Sequence, residues 1–250
     1  TIIPEFEGIP SDADIVQFRE RPLRTGSLIT YLAEIHRIGF NFEQRAFPFL
    51  TVPFYAWGGG IAIRRSVEDR VTWDIGTIVE DSVFVWRAIL ENDASFALVK
   101  PHFNNQAPPT VRSMITQRRR WLTGTRSRSA MLPWNYRVVY HFRDLGWALS
   151  VISSFIWGLS ILAQFGIIPV PLTVVFFPDV YTVLSMILLG LVYSWSLIGL
   201  VIYRERWWIG LLRRITTPLI VTIHSVGALY GLLRPARDFA VTTKVVVERT

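Results

Sequence analysis

Four groups of residues combine types and spacings that could do chemistry. Glu80 and Asp81 follow the run Thr77-Ile78-Val79, and this pattern predicts a short strand ending in two acids at the start of a helix. An aspartate there has two readings. It caps the helix, a role worth about 0.5–2 kcal/mol, or it stands at the C-terminal edge of a sheet and serves as general base on a hydroxyl. Gln117, Arg120 and Trp121 lie three and four residues apart, so a helix brings them to one face. An amide, a guanidinium fork and an indole together grip a phosphate oxygen and stack on a sugar ring. The same basic cluster reads equally as a juxtamembrane patch drawn to anionic lipid, with Arg118, Arg119, Arg126 and Arg128 serving the membrane surface. Trp57-Gly58-Gly59-Gly60 offers glycines that permit positive φ and close approach to a ligand, or is simply a loop. The fourth group, Phe239, Val241, Thr242 and Lys244, sits in a β-prone tail.

The elements that must position these groups read as a layered α/β unit. Residues 14–19 alternate like a strand, and residues 60–63 and 96–99 look like short buried strands. Residues 27–47 carry a helix-period apolar stripe through Leu28, Leu32, Ile35, Ile38 and Phe42, with Ser27 as N-cap. Residues 81–90 read as a helix, and another after Pro108-Pro109 carries Gln117 to Trp121. Asp12-Ala13-Asp14 reads as a turn at the start of the first strand.

The second half of the chain changes character. Across the 59 residues from 145 to 203, Asp179 is the only charged one. A bilayer crossing needs about 20 apolar residues, so 145–167 and 180–203 are expected to be transmembrane helices joined by the Pro-punctuated stretch 168–179. Arginines precede the first span (Arg112, Arg118, Arg119, Arg120, Arg126, Arg128, Arg137, Arg143) and follow the second (Arg204, Arg206, Arg213, Arg214), whereas the connecting loop has no Lys or Arg. The positive-inside rule then places 1–144 and everything after 203 in the cytoplasm. The apolar stretch 215–233 has arginines at both ends and is expected to lie along the cytoplasmic interface as an amphipathic helix. The organisation expected is therefore a cytoplasmic α/β part over 1–135, two transmembrane helices within 136–203, and an interfacial helix with a tail over 204–250.

Composition narrows the classes. The 250 residues are 51% hydrophobic and 18% charged, which excludes a disordered polymer. With no cysteine there is no disulfide scaffold, thiolate zinc site or cysteine nucleophile. The net charge of +7 sits beside the spans rather than on a free face, which argues against nucleic-acid binding. The chain opens on Thr1 without a signal-like segment and reads as one whose beginning lies upstream.

In order, Glu80-Asp81, Gln117-x-x-Arg120-Trp121, the spans from Leu145, and Phe239-x-Val241-Thr242-x-Lys244 resemble the membrane-embedded family 2 glycosyltransferases. That group includes cellulose and hyaluronan synthases and the egghead-type β-mannosyltransferases; the stretch from Trp57 to Trp121 is most similar to the egghead-like branch. The resemblance covers about residues 12–250. It implies the C-terminal portion of a GT-A-type domain, with an inverting transfer of sugar from a UDP-sugar or GDP-mannose to a glycan or glycolipid at the cytoplasmic face of the membrane. It further implies Asp81, paired with Glu80, as general base, and Gln117 and Arg120 on the departing diphosphate and the acceptor site. Trp121 would stack on the acceptor, and Trp57 to Gly60 would line its pocket. Phe239, Val241, Thr242 and Lys244 would close over the donor as a gating loop. Membrane lipids are implied partners, and Mg²⁺ or Mn²⁺ the cofactor, with the family's D-x-D ligands expected upstream of Thr1; Asp12-Ala13-Asp14 has the letters of that motif but leads straight into the first strand. The rival from another class is a non-catalytic membrane scaffold or lipid-binding subunit, which explains the arginines and aromatics but not the recurrence of these motifs.

Overall fold

A computed structural model of the chain describes residues 10–24, 26–38, 52–73, 76–169, 179–180, 183, 187 and 207–237. Its centre is a three-stranded sheet in the order β2-β1-β3, built from β1 (Ile15–Leu23), β2 (Ile61–Ile63) and β3 (Phe96–Gln106). β1 is the middle strand, and Ile15, Val16, Gln17 and Phe18 are all buried. Burial on successive residues means both faces of the sheet are covered here. β2 runs antiparallel to β1 with Gln17 opposite Ile61, and β3 runs parallel with Ile15 opposite Phe96. The β1–β3 register breaks between Phe18 and Arg19, which face Val99 and His102. The two extra β3 residues include Pro101, whose missing N–H suits a bulge better than a regular ladder.

Asp14 locks the start of this sheet. Its Oδ2 accepts from the Ser95 backbone at 3.0 Å, and its Oδ1 faces Arg64 Nε at 3.1 Å. The Ser95 backbone bond is the largest influence holding the Asp14 carboxyl below its ordinary range. The strand-start reading of Asp12-Ala13-Asp14 is thus what the structure supports.

Helices cover the sheet and extend beyond it: α1 (Leu28–Ile38), the short α2 (Arg65–Glu68), α3 (Glu80–Asn92), α4 (Val111–Arg128), α5 (Trp134–Gln164) and α6 (Trp207–Leu233). α3 packs Phe84, Val85 and Ala88 with Ile15, Val67 and Val71. α4 begins at a reciprocal cap between Thr110 and Ser113, straight after Pro108-Pro109. α6 lies on α4 through Gly227 and Gly231. A Cβ at Gly227 would stand 2.5 Å from the Ile115 carbonyl oxygen, and one at Gly231 would stand 2.8 Å from that of Arg119. The two small residues one turn apart let the backbones touch.

The sequence-based expectations need three adjustments. Residues 76–79 form no strand; the chain is irregular there and α3 starts at Glu80. The helix expected over 145–167 begins eleven residues earlier, at Trp134. Arg118 is not at a membrane surface: it is wholly buried, because Glu34 of α1 and His224 of α6 supply partners that make burial tolerable. Residues 39–47 of the expected first helix, almost all of 180–203, and Phe239, Val241, Thr242 and Lys244 lie outside the described residues. Among the described residues, the helix long and apolar enough to cross a membrane covers Ile215–Leu233, the stretch expected at the interface, and about half of it (47%) is buried against the rest of the chain.

Candidate active site

The site is assembled from the start of α3, the middle of α4 and the loop before β2. α3 begins without a side-chain cap at Val79, so Asp81 is not the N-cap residue. Instead its carboxylate reaches outward to the neighbouring loop. Oδ1 accepts from the Ser82 backbone N–H at 2.8 Å, and Oδ2 accepts from the Gly58 N–H, also at 2.8 Å. Burial pushes the Asp81 carboxyl up to about 6; the Glu80 charge adds to this, while the Ser82 and Gly58 N–H groups and Arg120 oppose it. A carboxylate brought toward neutrality by its surroundings while still ionised at physiological pH is suited to accept a proton.

Residues 52–60 reach this carboxylate through a series of tethers. Trp86 Nε1 donates to the Pro53 carbonyl at 2.8 Å. Tyr55 donates its hydroxyl to Asp144 Oδ1 of α5 at 2.6 Å. Ser82 Oγ accepts from Ala56 N and donates to Ala56 O. Gln17, fully buried in β1, accepts from Trp57 N at 3.2 Å through its side-chain oxygen, and its amide nitrogen lies 3.0–3.2 Å from the carbonyls of Trp57, Gly59 and Gly60. Gly60 has φ +63°, and a Cβ at Gly59 would come 2.7 Å from the Phe103 ring. Positive φ and the ring beneath make glycine necessary at Gly60. The Trp57 indole donates to the Phe18 carbonyl and packs with Val16, Phe18 and Phe103. Trp57 therefore anchors the loop, and Gly58 is the part that meets Asp81.

α4 is brought to the acid pair by another close approach. Gly124 packs on Ile78 and Val79, where a Cβ would stand 2.7 Å from Val79 Cγ1. Arg120 is half-buried; burial holds its guanidinium below the usual arginine range, and the Glu80 and Asp81 carboxylates pull it back up. Trp121 is half-buried against the cluster that includes Val79, Val83 and Trp86, with the Arg118 guanidinium 4.1 Å from its ring centre. Gln117 Oε1 accepts from Arg118 Nη1 at 2.6 Å. The structure thus brings Glu80, Asp81, Gly58 and Arg120 together and places Gln117 and Trp121 on the same helix as Arg120.

Gln17, Ser82 and Gly124 organise the site without having been marked in the sequence. Only Gln17 leaves a trace there: it is an amide within an otherwise apolar stretch, Ile15-Val16-Gln17-Phe18. Among the described residues no three His, Asp or Glu side chains converge. Asp14 is committed to Ser95 and Arg64.

The site thus sets a carboxylate pushed toward neutrality and a second acid beside a guanidinium, at the start of α3 and the middle of α4. The chain matches glycosyl transferase family group 2 over residues 2–198 and belongs to that family; it is a glycosyltransferase. Comparison with curated proteins and with solved structures gave no match.

Proposed function

We propose that the protein transfers a sugar from a UDP-sugar or GDP-mannose to a glycan or glycolipid hydroxyl with inversion at the anomeric carbon, at the cytoplasmic face of a membrane. The observation that carries this is the Asp81 carboxylate, held by the Gly58 and Ser82 N–H groups beside Arg120. In the transfer, the acceptor oxygen bonds to the anomeric carbon and its proton passes to Asp81. The bond from that carbon to the diphosphate breaks, and the nucleoside diphosphate leaves with the electron pair. Attack from the face opposite the leaving group inverts the configuration. Arg120 and Gln117 stabilise the charge that develops on the diphosphate, and Trp121 offers its indole to the acceptor sugar.

Membrane placement has its own support. Trp134, Val138, Phe142, Leu145, Leu149 and Ile152 recur at helical spacing on α5 and are all exposed. Tyr140, Asp144, Ala148 and Val151 on the same helix are buried. The exposed stripe runs straight into the uncharged stretch 145–167, so lipid is its natural cover. The chain leaving α6 is tied to α4, with Arg119 Nε donating to Arg234 O at 2.8 Å and Ala236 N donating to Thr123 Oγ1 at 3.0 Å.

The test uses membranes carrying the complete gene product and a panel of labelled UDP- and GDP-sugars, with Asp81→Asn alongside. Incorporation from one donor, abolished in Asp81→Asn at equal protein level, is the expected result. Turnover retained in that variant would overturn the general-base role, and no incorporation from any donor would favour a scaffold.

A further inference from the structure

We propose that Arg118 is a positioning residue for this transfer: it fixes the Gln117 amide and the Trp121 indole and ties their setting to the seat of α6. The inference rests on the reading of Gln117 and Trp121 as substrate-facing groups.

The guanidinium of Arg118 is completely buried and is engaged on every side. Nη2 donates to Glu34 of α1, Nη1 donates to Gln117 Oε1 at 2.6 Å, and Nε donates to His224 Nδ1 of α6 at 3.2 Å. Its flat face lies 4.1 Å from the Trp121 ring centre. Arginine alone presents several N–H groups in one rigid plane, so these four partners are set relative to one another by one side chain. Because Arg118 takes up the oxygen of Gln117, the other end of that amide, its NH₂, is what Gln117 can offer elsewhere. A donor is what an anionic diphosphate oxygen requires. His224 accepts at Nδ1, which makes it neutral with its proton on Nε2.

The charges around Arg118 are balanced. Glu34 also accepts from Arg37 Nε at 2.7 Å, and Arg37 pairs in turn with Glu20 of β1. Such a cluster could serve only to hold β1, α1, α4 and α6 together. Two features point further. Of the α4 side chains, Arg118 engages Gln117 and Trp121, the two read here as substrate-facing. In addition, the Gly227 and Gly231 contacts fit α6 against the α4 backbone at Ile115, Arg118 and Arg119, so α6 cannot slide without moving His224 relative to Arg118. Arg118 thereby gives α6 a side-chain link to Gln117 and Trp121, beside the backbone packing at Gly227 and Gly231.

The test compares Arg118→Lys, His224→Leu, His224→Asn and Gln117→Ala, singly and with Gln117→Ala combined with each of the first two, in the complete protein in membranes. An asparagine carbonyl stands in for Nδ1, so His224→Asn should keep near-wild-type turnover, whereas His224→Leu and Arg118→Lys should lose about tenfold in kcat with donor KM within about twofold. In the Gln117→Ala background those losses should shrink clearly, leaving only the part that acts through Trp121. Fully additive losses, or His224→Asn failing as badly as His224→Leu, would overturn the proposal. Hydroxyl-radical oxidation of Trp121, read against buried Trp86 as internal reference, needs no turnover. It should rise in Arg118→Lys and His224→Leu and stay at the wild-type level in His224→Asn; equal oxidation in all variants would sink the idea. A wild-type protein inactive with every UDP- and GDP-sugar would undo the proposed donor class, while the oxidation pattern would still decide what Arg118 holds.

Discussion

Acidification from pH 7.5 to 5 should slow transfer about tenfold. As the proposed general base, Asp81 must be ionised to take the acceptor proton, and its carboxyl is pushed up to about 6 by burial, with Glu80 adding to the effect. For a group titrating there, roughly one site in eleven carries the charge at pH 5, against nearly all at pH 7.5. The logarithm of kcat/KM should therefore be flat above about pH 7 and fall toward one unit per pH unit below about pH 6. Glu80→Gln removes the neighbouring charge that raises Asp81, so its acid limb should move to lower pH. The same ionisation acts on stability with a definite sign. The folded carboxyl titrates above its unfolded counterpart, so the folded state holds the proton more tightly. Stability from this group is greatest below about pH 4 and is lost as the pH rises through about 6, by about 3 kcal/mol in all. Asp81→Asn carries no such charge, and its stability relative to the wild type should improve by up to about that amount between pH 4 and 7.5. The assay is initial transfer rate across the pH range with the identified donor, paired with thermal midpoints of both proteins in the same buffers. Equal rates at pH 5 and 7.5 in folded protein, or a limb unmoved by Glu80→Gln, would refute the reasoning.

Three substitutions probe the scaffold behind the carboxylate. Gly60→Ala meets both a positive φ and the Phe103 ring; it should cost about 1–3 kcal/mol of stability and lower transfer, read by thermal unfolding and initial rate. Gln17→Leu strips the Trp57–Gly60 segment of its anchors and leaves buried backbone groups unpaired, at about 1–3 kcal/mol. Acceptor KM should rise while donor KM holds, because the loop meets Asp81 through Gly58. Gly124→Leu would drive α4 away from Ile78 and Val79; transfer should fall by more than tenfold, with membrane level checked by blotting.

Much of the scaffold can be read from local pattern. β1 starts beside the expected strand although its burial does not alternate, α3 begins beside the expected position, and α4 follows its two prolines, because chain-breaking residues and apolar runs act over a few residues. The strand expected at 77–81 is absent for a reason the run of side chains does not carry. Ile78 and Val79 are apolar because Gly124 of α4 packs on them, not because they pair in a sheet. β3 runs on to Gln106, well past the short apolar run at 96–99, because its partner β1 continues to Leu23 and the ladder resumes after Pro101. Arg118 is the sharpest case. Within Arg118-Arg119-Arg120 the three residues look alike, yet Arg118 is sealed between α1 and α6, Arg119 holds the chain leaving α6, and Arg120 faces the acid pair.

The sequence by itself determined which chemistries were available: an acid pair, an amide–guanidinium–indole set on one helix, a glycine run, and an uncharged stretch long enough for a bilayer. Those follow from residue type and spacing, which are local. Only the tertiary structure decided that Asp81 engages Gly58 rather than capping its helix, that a buried Gln17 holds the loop in place, and that one arginine of three sits in the interior. Each of these depends on partners 23 to 106 residues away in the chain, and a buried charge or amide is tolerated only where such distant partners converge on it.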